Sequence, residues 1–298
     1  MFVILSLLAA VAASTVNFAD KAFLSRFSID YQAASIFAAI AGGLLALAIL
    51  PFSGNGGLSS FDIALVLMSG ILMFGSYFMY WKALSKSDTT IIIMLIQITP
   101  VLVLILSYFF LHERLSVEQL IGFVLVLTAV IGFSIDKTQR WAGFGMTGTL
   151  VSMILSGVFA GIASVIAKHI IEQTTVPVAT AFEGFGVFMG GVLLLALSGN
   201  VRRSFFDVMK RHAGAPLIFI FIVEAIWLVY RFLSYAATSL GPVSLERVLE
   251  GTRVFFAFIA GALLGRAFPA IFATESKNIT VTKIALAGVL FAGIYLIS

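Results

Sequence analysis

Seven ionisable side chains stand inside long apolar stretches of this sequence: Glu183, Glu224, Arg231, Glu246, Arg247, Glu250 and Arg253. In hydrocarbon each costs several kcal/mol unless it is paired or hydrated, so each marks a buried contact or a polar pathway. At 100° per residue, Glu246, Glu250 and Arg253 fall within roughly 60° of one helix face. Glu224, Arg231 and Tyr235 fall within roughly 40° of another. The two segments flank the short stretch TSLGP, so their charged stripes are expected to face each other, with Arg231 paired to Glu246 or Glu250. Glu183 enters from the same side, and Glu224 and Arg253 are expected nearer the middle of the membrane.

Two uses of these charges follow. They can satisfy one another as a buried network that holds helices in register, at high desolvation cost and with little net stability. Alternatively they line a hydrated cavity, where Arg253 or Arg247 holds a carboxylate or phosphate and Glu224 or Glu250 holds an amine or a coupling proton. Four carboxylates against three guanidinia leave one negative charge, and that carboxylate is the candidate proton carrier. Around them, Trp227 and Tyr230, with Tyr77, Tyr80 and Trp81 in an earlier segment, can form an aromatic wall or serve as core and interfacial anchors. Gln97 offers a further polar contact. His112, His169 and His212 lack metal-ligand spacing, and with no cysteine in the chain no Cys-based metal or disulfide site can form. No metal, organic cofactor or nucleotide-binding loop is expected, and no covalent chemistry.

The elements that must position these residues are membrane helices. Of 298 residues 61% are hydrophobic and only 11% charged, outside the range of a water-soluble domain. About 20 apolar residues cross a bilayer core. Apolar runs mark spans near Phe2–Phe18, Ala33–Phe52, Phe61–Leu84, Thr89–Leu111 and Val117–Ile135. A second set covers Met146–Lys168, Val178–Leu197, Pro216–Ala237, Pro242–Leu264 and Lys283–Ile297. Met1–Phe18 lacks a basic leader and reads as a retained first helix. Pro216 and Pro242 suit first-turn positions, Asp88 can cap the fourth helix, and Pro100 is expected to kink that helix mid-span. Gly157-x-x-x-Gly161, Gly186-x-x-x-Gly190 and Gly261-x-x-x-Gly265 allow close helix approach. Lys168 and His169 are expected to snorkel to the interface.

The halves align. A shift of 153 pairs Ala83 with Ala236 and Leu111 with Leu264, and pairs Gln97 with Glu250. A shift of 147 pairs Lys21 with Lys168, and the largest insertion is PAIFATESKNIT. Five spans per half, an odd number, make the second half enter the membrane in the opposite sense. The expected fold is therefore an all-α integral membrane protein of ten transmembrane helices in two inverted five-helix repeats, residues 1–140 and 141–298.

The stretch from Ala83-Leu84 through Pro100 to FFLHERLSVEQLIGFVLVLTAVIGF, with its Glu113-Arg114-Leu115 turn and Gly122, resembles the EamA domain of the drug/metabolite transporter superfamily, present as two tandem copies. The second copy departs from the pattern, with Arg253 at the position of Pro100 and Arg266 at that of Glu113. The resemblance implies a central cavity lined mainly by the first, third, fourth, sixth, eighth and ninth helices, and transport of amino acids or related small solutes, often by export. A secondary transporter in the cell membrane, with the lipid bilayer, a small solute and protons as partners, is the leading expectation. A polytopic enzyme acting on lipids or isoprenoids and a non-transporting scaffold are the alternatives. Nucleic acid is not an expected partner, because the net charge of +4 resides in helix-flanking Lys and Arg. Thirteen of the 18 Lys and Arg flank the odd-numbered loops, against Arg114 and Lys168 on the other side, which puts both termini outside the cytoplasm. The family resemblance implies cytoplasmic termini instead.

Overall fold

The computed structural model describes residues 1–53, 56–87, 92, 95–134, 146–211, 215–264 and 281–298, and their regular structure is helical throughout. We label the helices α1 (Phe2–Phe27), α2 (Tyr31–Ser53), α3 (Ser60–Leu84), α4 (Ile98–Phe110), α5 (Val117–Ser134) and α6 (Met146–Ile171). The remainder are α7 (Val176–Leu197), α8 (Gly199–Arg211), α9 (Ala215–Thr238), α10 (Val243–Glu250), α11 (Arg253–Leu264) and α12 (Val281–Ile297). Six of them, α1, α2, α3, α6, α7 and α9, are long and apolar enough to cross a bilayer, while α4, α5 and α12 are shorter apolar helices. Helices are what a bilayer permits, because no water is present there to satisfy an open backbone.

Local chemistry sets the ends. Ser59 and Asp62 form a reciprocal capping box at the start of α3. Ser116 and Gln119 do the same at α5. Asp30 Oδ1 accepts from the Gln32 and Ala33 N–H groups at 2.8 and 3.0 Å and caps α2.

Four expectations change. The first helix runs to Phe27 instead of ending at Phe18, because the Lys21 ammonium donates to Leu84 O at 3.0 Å and Ser87 O at 3.1 Å, which satisfies its charge inside the fold. The ninth span breaks at Gly251-Thr252 into α10 and α11. The fourth span, expected to kink at Pro100, is interrupted by a turn at Gln97, with helical Leu95 and Ile96 before it and Pro100 in the first turn of α4 after it, where the ring removes a backbone donor. The segment between α7 and α9, expected as a loop, forms amphipathic α8: Val201, Phe205 and Val208 are buried while Arg202, Arg203, Lys210 and Arg211 face outward. Asp88, Lys137, Arg140, His212, Arg266, Lys277, the end of the third glycine motif at Gly265, and PAIFATESKNIT lie outside the described residues.

Most of the packing is antiparallel: α2 lies on α7, α3 on α6, α1 on α9 and α5 on α12 in opposite senses, while α3 also packs along α7 in the same sense, Gly70 meeting Gly186 and Phe74 meeting Gly190. Close approach needs glycine at the α3–α7 crossing, where a Cβ on Gly70 would come 2.2 Å from Glu183 O and 2.6 Å from Gly186 Cα. Along α3 and α6, Ser69 donates to Ala163 O, Ser76 bonds Ser156 and Ser87 bonds Thr149, a register that runs the two helices in opposite directions.

Lys168 does not snorkel. It is buried and donates to Thr238 O at 2.9 Å and Gly241 O at 3.2 Å, with Glu172 at 3.2 Å. The carbonyls at the C-terminal end of α9 and just beyond it supply the acceptors that water would otherwise provide. His169 is exposed and bonds Gln173.

Candidate solute cavity

The two breaks, at Gln97 and at Gly251, meet in the protein interior. A Cβ on Gly251 would stand 2.4 Å from Gln97 Oε1, so glycine lets the two interrupted segments touch. Irregular backbone at membrane depth is tolerated where it is buried in protein or lines a wet cavity, and here it borders one. The cavity has a volume of about 120 Å³. Its walls come from α1, α2, α3, the approach to α4, α6, α7, α9, α10 and the first residue of α11.

Of the residues picked from the sequence, Glu224, Arg247, Glu250, Arg253, Gln97, Trp227, Tyr77, Trp81 and Pro100 line this cavity. Glu183, Arg231, Glu246 and Tyr235 do not; they are packed behind it. Arg231 is paired with Glu183, not with Glu246 or Glu250: Nε donates to Oε2 at 2.9 Å and Nη2 to Oε1 at 2.7 Å. Tyr235 stacks its ring 4.6 Å from the guanidinium. Glu246 accepts from Ser234 Oγ at 2.7 Å and lies 3.3 Å from Arg247 Nε. Ser234 and Glu246 stand equally far along the chain from Leu240 in the connecting turn, so they match in depth. Arg231 lies one turn of α9 deeper, where it meets α7.

Glu250 is held from three sides. Tyr230 donates to its Oε1 at 2.8 Å, and Arg247 and Arg253 both form ion pairs with its carboxylate. Arg247 Nη1 also donates to Tyr230 Oη at 3.3 Å. Trp227 Nε1 donates to Tyr77 Oη at 2.9 Å, which ties α9 to α3 and fixes two aromatic faces on the cavity. No Lys or Arg among the described residues pairs with Glu224, which is buried on the wall.

Sequence reasoning missed Asn17 and Asp20 of α1 and the hydroxyls of Ser76 and Ser156, all on the cavity wall. The register that aligned Lys21 with Lys168, a helix-end lysine, was the available signal, since it carries the first helix past residue 20. Glu113, in the turn after α4, caps the N-terminus of α10, where its carboxylate accepts from the Val243 N–H at 3.0 Å and the Ser244 hydroxyl at 3.4 Å.

Residues 1–135 match the model of the EamA-like transporter family. That segment, a little under half of the chain, is similar to an EamA domain. It contains Asn17, Asp20, Tyr77, Trp81, Gln97, Pro100 and the Glu113 turn, so the EamA-like segment supplies one wall of the cavity and helices from α6 to α11 the other. An uncharacterized protein of Methanocaldococcus jannaschii is 33% identical over 72 residues, 24% of this chain and 52% of that protein, so the chain spans about half the length of that relative. A solved structure described only as the crystal structure of a protein aligns with a TM-score of 0.64 over 99% of this chain and 95% of its own, at 16% identity, and shows the same fold. Six helices long and apolar enough to cross a bilayer, with the match to a transporter family, make this a multi-pass membrane protein.

Proposed function

We propose that this protein is a secondary transporter that moves a small polar or zwitterionic, amino-acid-like metabolite through the cavity by alternating access, by export or exchange. The observation that carries the reading is a cavity walled by both halves of the chain, on which Glu224 stands buried without an ion-pair partner among the described residues while Arg247 and Arg253 converge on Glu250. Such a wall has hydrogen-bond donors for a carboxylate and an acceptor for an amine or a proton. Glu224 is the coupling carboxylate in this reading, and Gln97, Tyr77, Trp81 and Trp227 complete the solute's surroundings. Glu183, Arg231, Glu246 and Tyr235 brace the helices behind it.

Ten crossings in two inverted repeats, residues 1–140 and 141–298, fit the packing. Lys21 of α1 caps the end of α3, and Lys168 of α6 caps the end of α9 in the corresponding way. Thr149 bonds Ser87 beside the first of these caps, and Lys168 lies 19 residues further along α6, about 28 Å at 1.5 Å per residue. The two caps therefore stand about one hydrocarbon thickness apart, as a two-fold axis in the membrane plane requires. Following the charge count, we place the face carrying Arg202, Arg203, Lys210 and Arg211 in the cytoplasm, with both termini outside.

The test is uptake and counterflow in proteoliposomes offered amino acids, amines, sugars and nucleotides, comparing the natural sequence with Glu224→Gln, Glu250→Gln and Arg253→Ala. Transport by the natural protein, reduced at least tenfold in each variant at normal folding, supports the reading. Equal transport by all four removes the site.

A further inference from the structure

On the EamA-like side of the cavity, α1 presents a polar group that the seven charges do not include. Asn17 and Asp20 are three residues apart and so share a helix face, and both are buried on the cavity wall with 6% and 4% of their surface exposed. Tyr80, on α3, donates its hydroxyl to Asn17 Oδ1 at 3.3 Å and so holds that side chain in place beside Asp20. That bond uses the oxygen end of the Asn17 amide and leaves Nδ2 buried without a hydrogen-bond partner. A buried amide donor without a partner lacks the stabilisation that a ligand oxygen would supply. Beside it, Asp20 forms no ion pair among the described residues, because the neighbouring Lys21 turns its ammonium to Leu84 and Ser87. Glu224 lines the same cavity.

The charge balance is uneven. Glu183 is matched by Arg231, and Glu246 and Glu250 are matched by Arg247 and Arg253. Asp20 and Glu224 remain, two carboxylates against no cation among the described residues. Tyr230, which binds Glu250 and Arg247, lies six residues beyond Glu224 on α9, about 9 Å along the axis. The cavity thus has an acidic end at Asp20 and Glu224 and an arginine-bearing end at Glu250, with Tyr77 and Trp227 in the wall as well.

We propose that Asn17, Asp20 and Tyr80 form an ammonium-binding subsite, in which Asp20 receives the cationic amine of the solute, Glu224 adds its charge, and Asn17 Nδ2 donates to an oxygen next to that amine. The inference rests on the transport reading and makes it specific: the solute class is a primary ammonium compound with a neighbouring oxygen acceptor, as in an amino acid, entering amine toward α1. Asp20 and Asn17 touch the solute; Tyr80 is a positioning residue.

The experiment uses the purified full chain and three probes that differ only in their charged ends: L-phenylalanine, 2-phenylethylamine and 3-phenylpropionate. Calorimetric binding is measured for the natural protein and for Asp20→Asn, Asn17→Ala, Tyr80→Phe and Arg253→Lys. The natural protein is expected to bind both amine-bearing probes. Asp20→Asn should weaken both at least tenfold and leave the acid probe unchanged, whereas Arg253→Lys should weaken the two carboxylate-bearing probes and spare the amine. Asn17→Ala should weaken L-phenylalanine more than 2-phenylethylamine. Tyr80→Phe should weaken the amine-bearing probes alone, a probe selectivity that a general loss of structure would not give. Elution as a single species checks folding, and Asn17→Ala carries the test if Asp20→Asn fails it. Natural protein that binds neither amine-bearing probe, or an Asp20→Asn variant with unchanged amine affinity, overturns the subsite. The two readings separate in counterflow: the binding pattern without any counterflow defeats the transport reading alone, and counterflow of L-phenylalanine unaffected by Asp20→Asn defeats the subsite alone.

Discussion

The Arg231–Glu183 pair offers the sharpest test of which charges hold the protein together. Both side chains are sealed from solvent, at 0% and 1% exposure, and the guanidinium makes two hydrogen bonds from Nη2 and one from Nε to the carboxylate. Arg231 Nη1 already lacks a partner. Glu183→Gln removes the countercharge and leaves a buried guanidinium, a change that costs about 3–5 kcal/mol. One amide oxygen can still accept, and the Tyr235 ring at 4.6 Å still stabilises the cation by about 1 kcal/mol. We expect a net loss near the lower bound, about 3 kcal/mol. At roughly 2–4 °C per kcal/mol for chains of 150–250 residues, that lowers the Tm by about 6–12 °C. Replacing both partners, Glu183→Leu with Arg231→Met, removes the orphan charge and should recover the stability to within about 1 kcal/mol. Thermal unfolding followed by tryptophan fluorescence in one detergent measures all three proteins. A single variant within 2 °C of the natural protein, or a double variant less stable than the single, refutes the reasoning. Because the pair stands behind the cavity, the double variant should also retain counterflow.

Four further outcomes are expected. Glu224→Gln should lose accumulation driven by an imposed pH gradient while retaining some counterflow at equal pH, since an amide binds a polar solute but cannot carry a proton; accumulation that persists removes Glu224 as the proton carrier. Lys168→Met strips the donor from two buried carbonyls and should cost about 2 kcal/mol, whereas Glu172→Gln should cost under about 1 kcal/mol because Glu172 is 57% exposed, and chemical denaturation compares them. Gly70→Ala forces α3 off α7 and should cost about 1–3 kcal/mol in the same assay; an unchanged midpoint would mean the helices do not meet there. A reporter fused after Ser298 should be active only in its non-cytoplasmic form, and activity of the cytoplasmic form reverses the assigned orientation.

The class of this protein and its helices were legible in the sequence because a bilayer leaves so few choices. Apolar run length marks the six helices long enough to cross, and the offset that aligned Lys21 with Lys168 pairs two lysines that each donate to carbonyls at the end of another helix. Periodicity also put Glu250 and Arg253 on one face, and they share that face in the fold. What periodicity cannot supply is the neighbour each face meets. Arg231 had partners of matching depth across the turn to α10, yet Gly70 and Gly186 pack α3 and α7 backbone to backbone and set Glu183 beside it from 48 residues away. A first span drawn to Phe18 left Asn17 and Asp20 out of account, and only the longer α1, with Tyr80 bonded to Asn17 and Lys21 turned away, puts them on the cavity wall. Pro100 marked a break in the fourth span, but neither segment alone shows that its interruption meets the other, as Gln97 and Gly251 do. Sequence by itself determined which residues must be buried in the membrane; the tertiary packing decided which charges neutralise each other and which are left facing the cavity, because that balance depends on contacts between helices far apart in the chain.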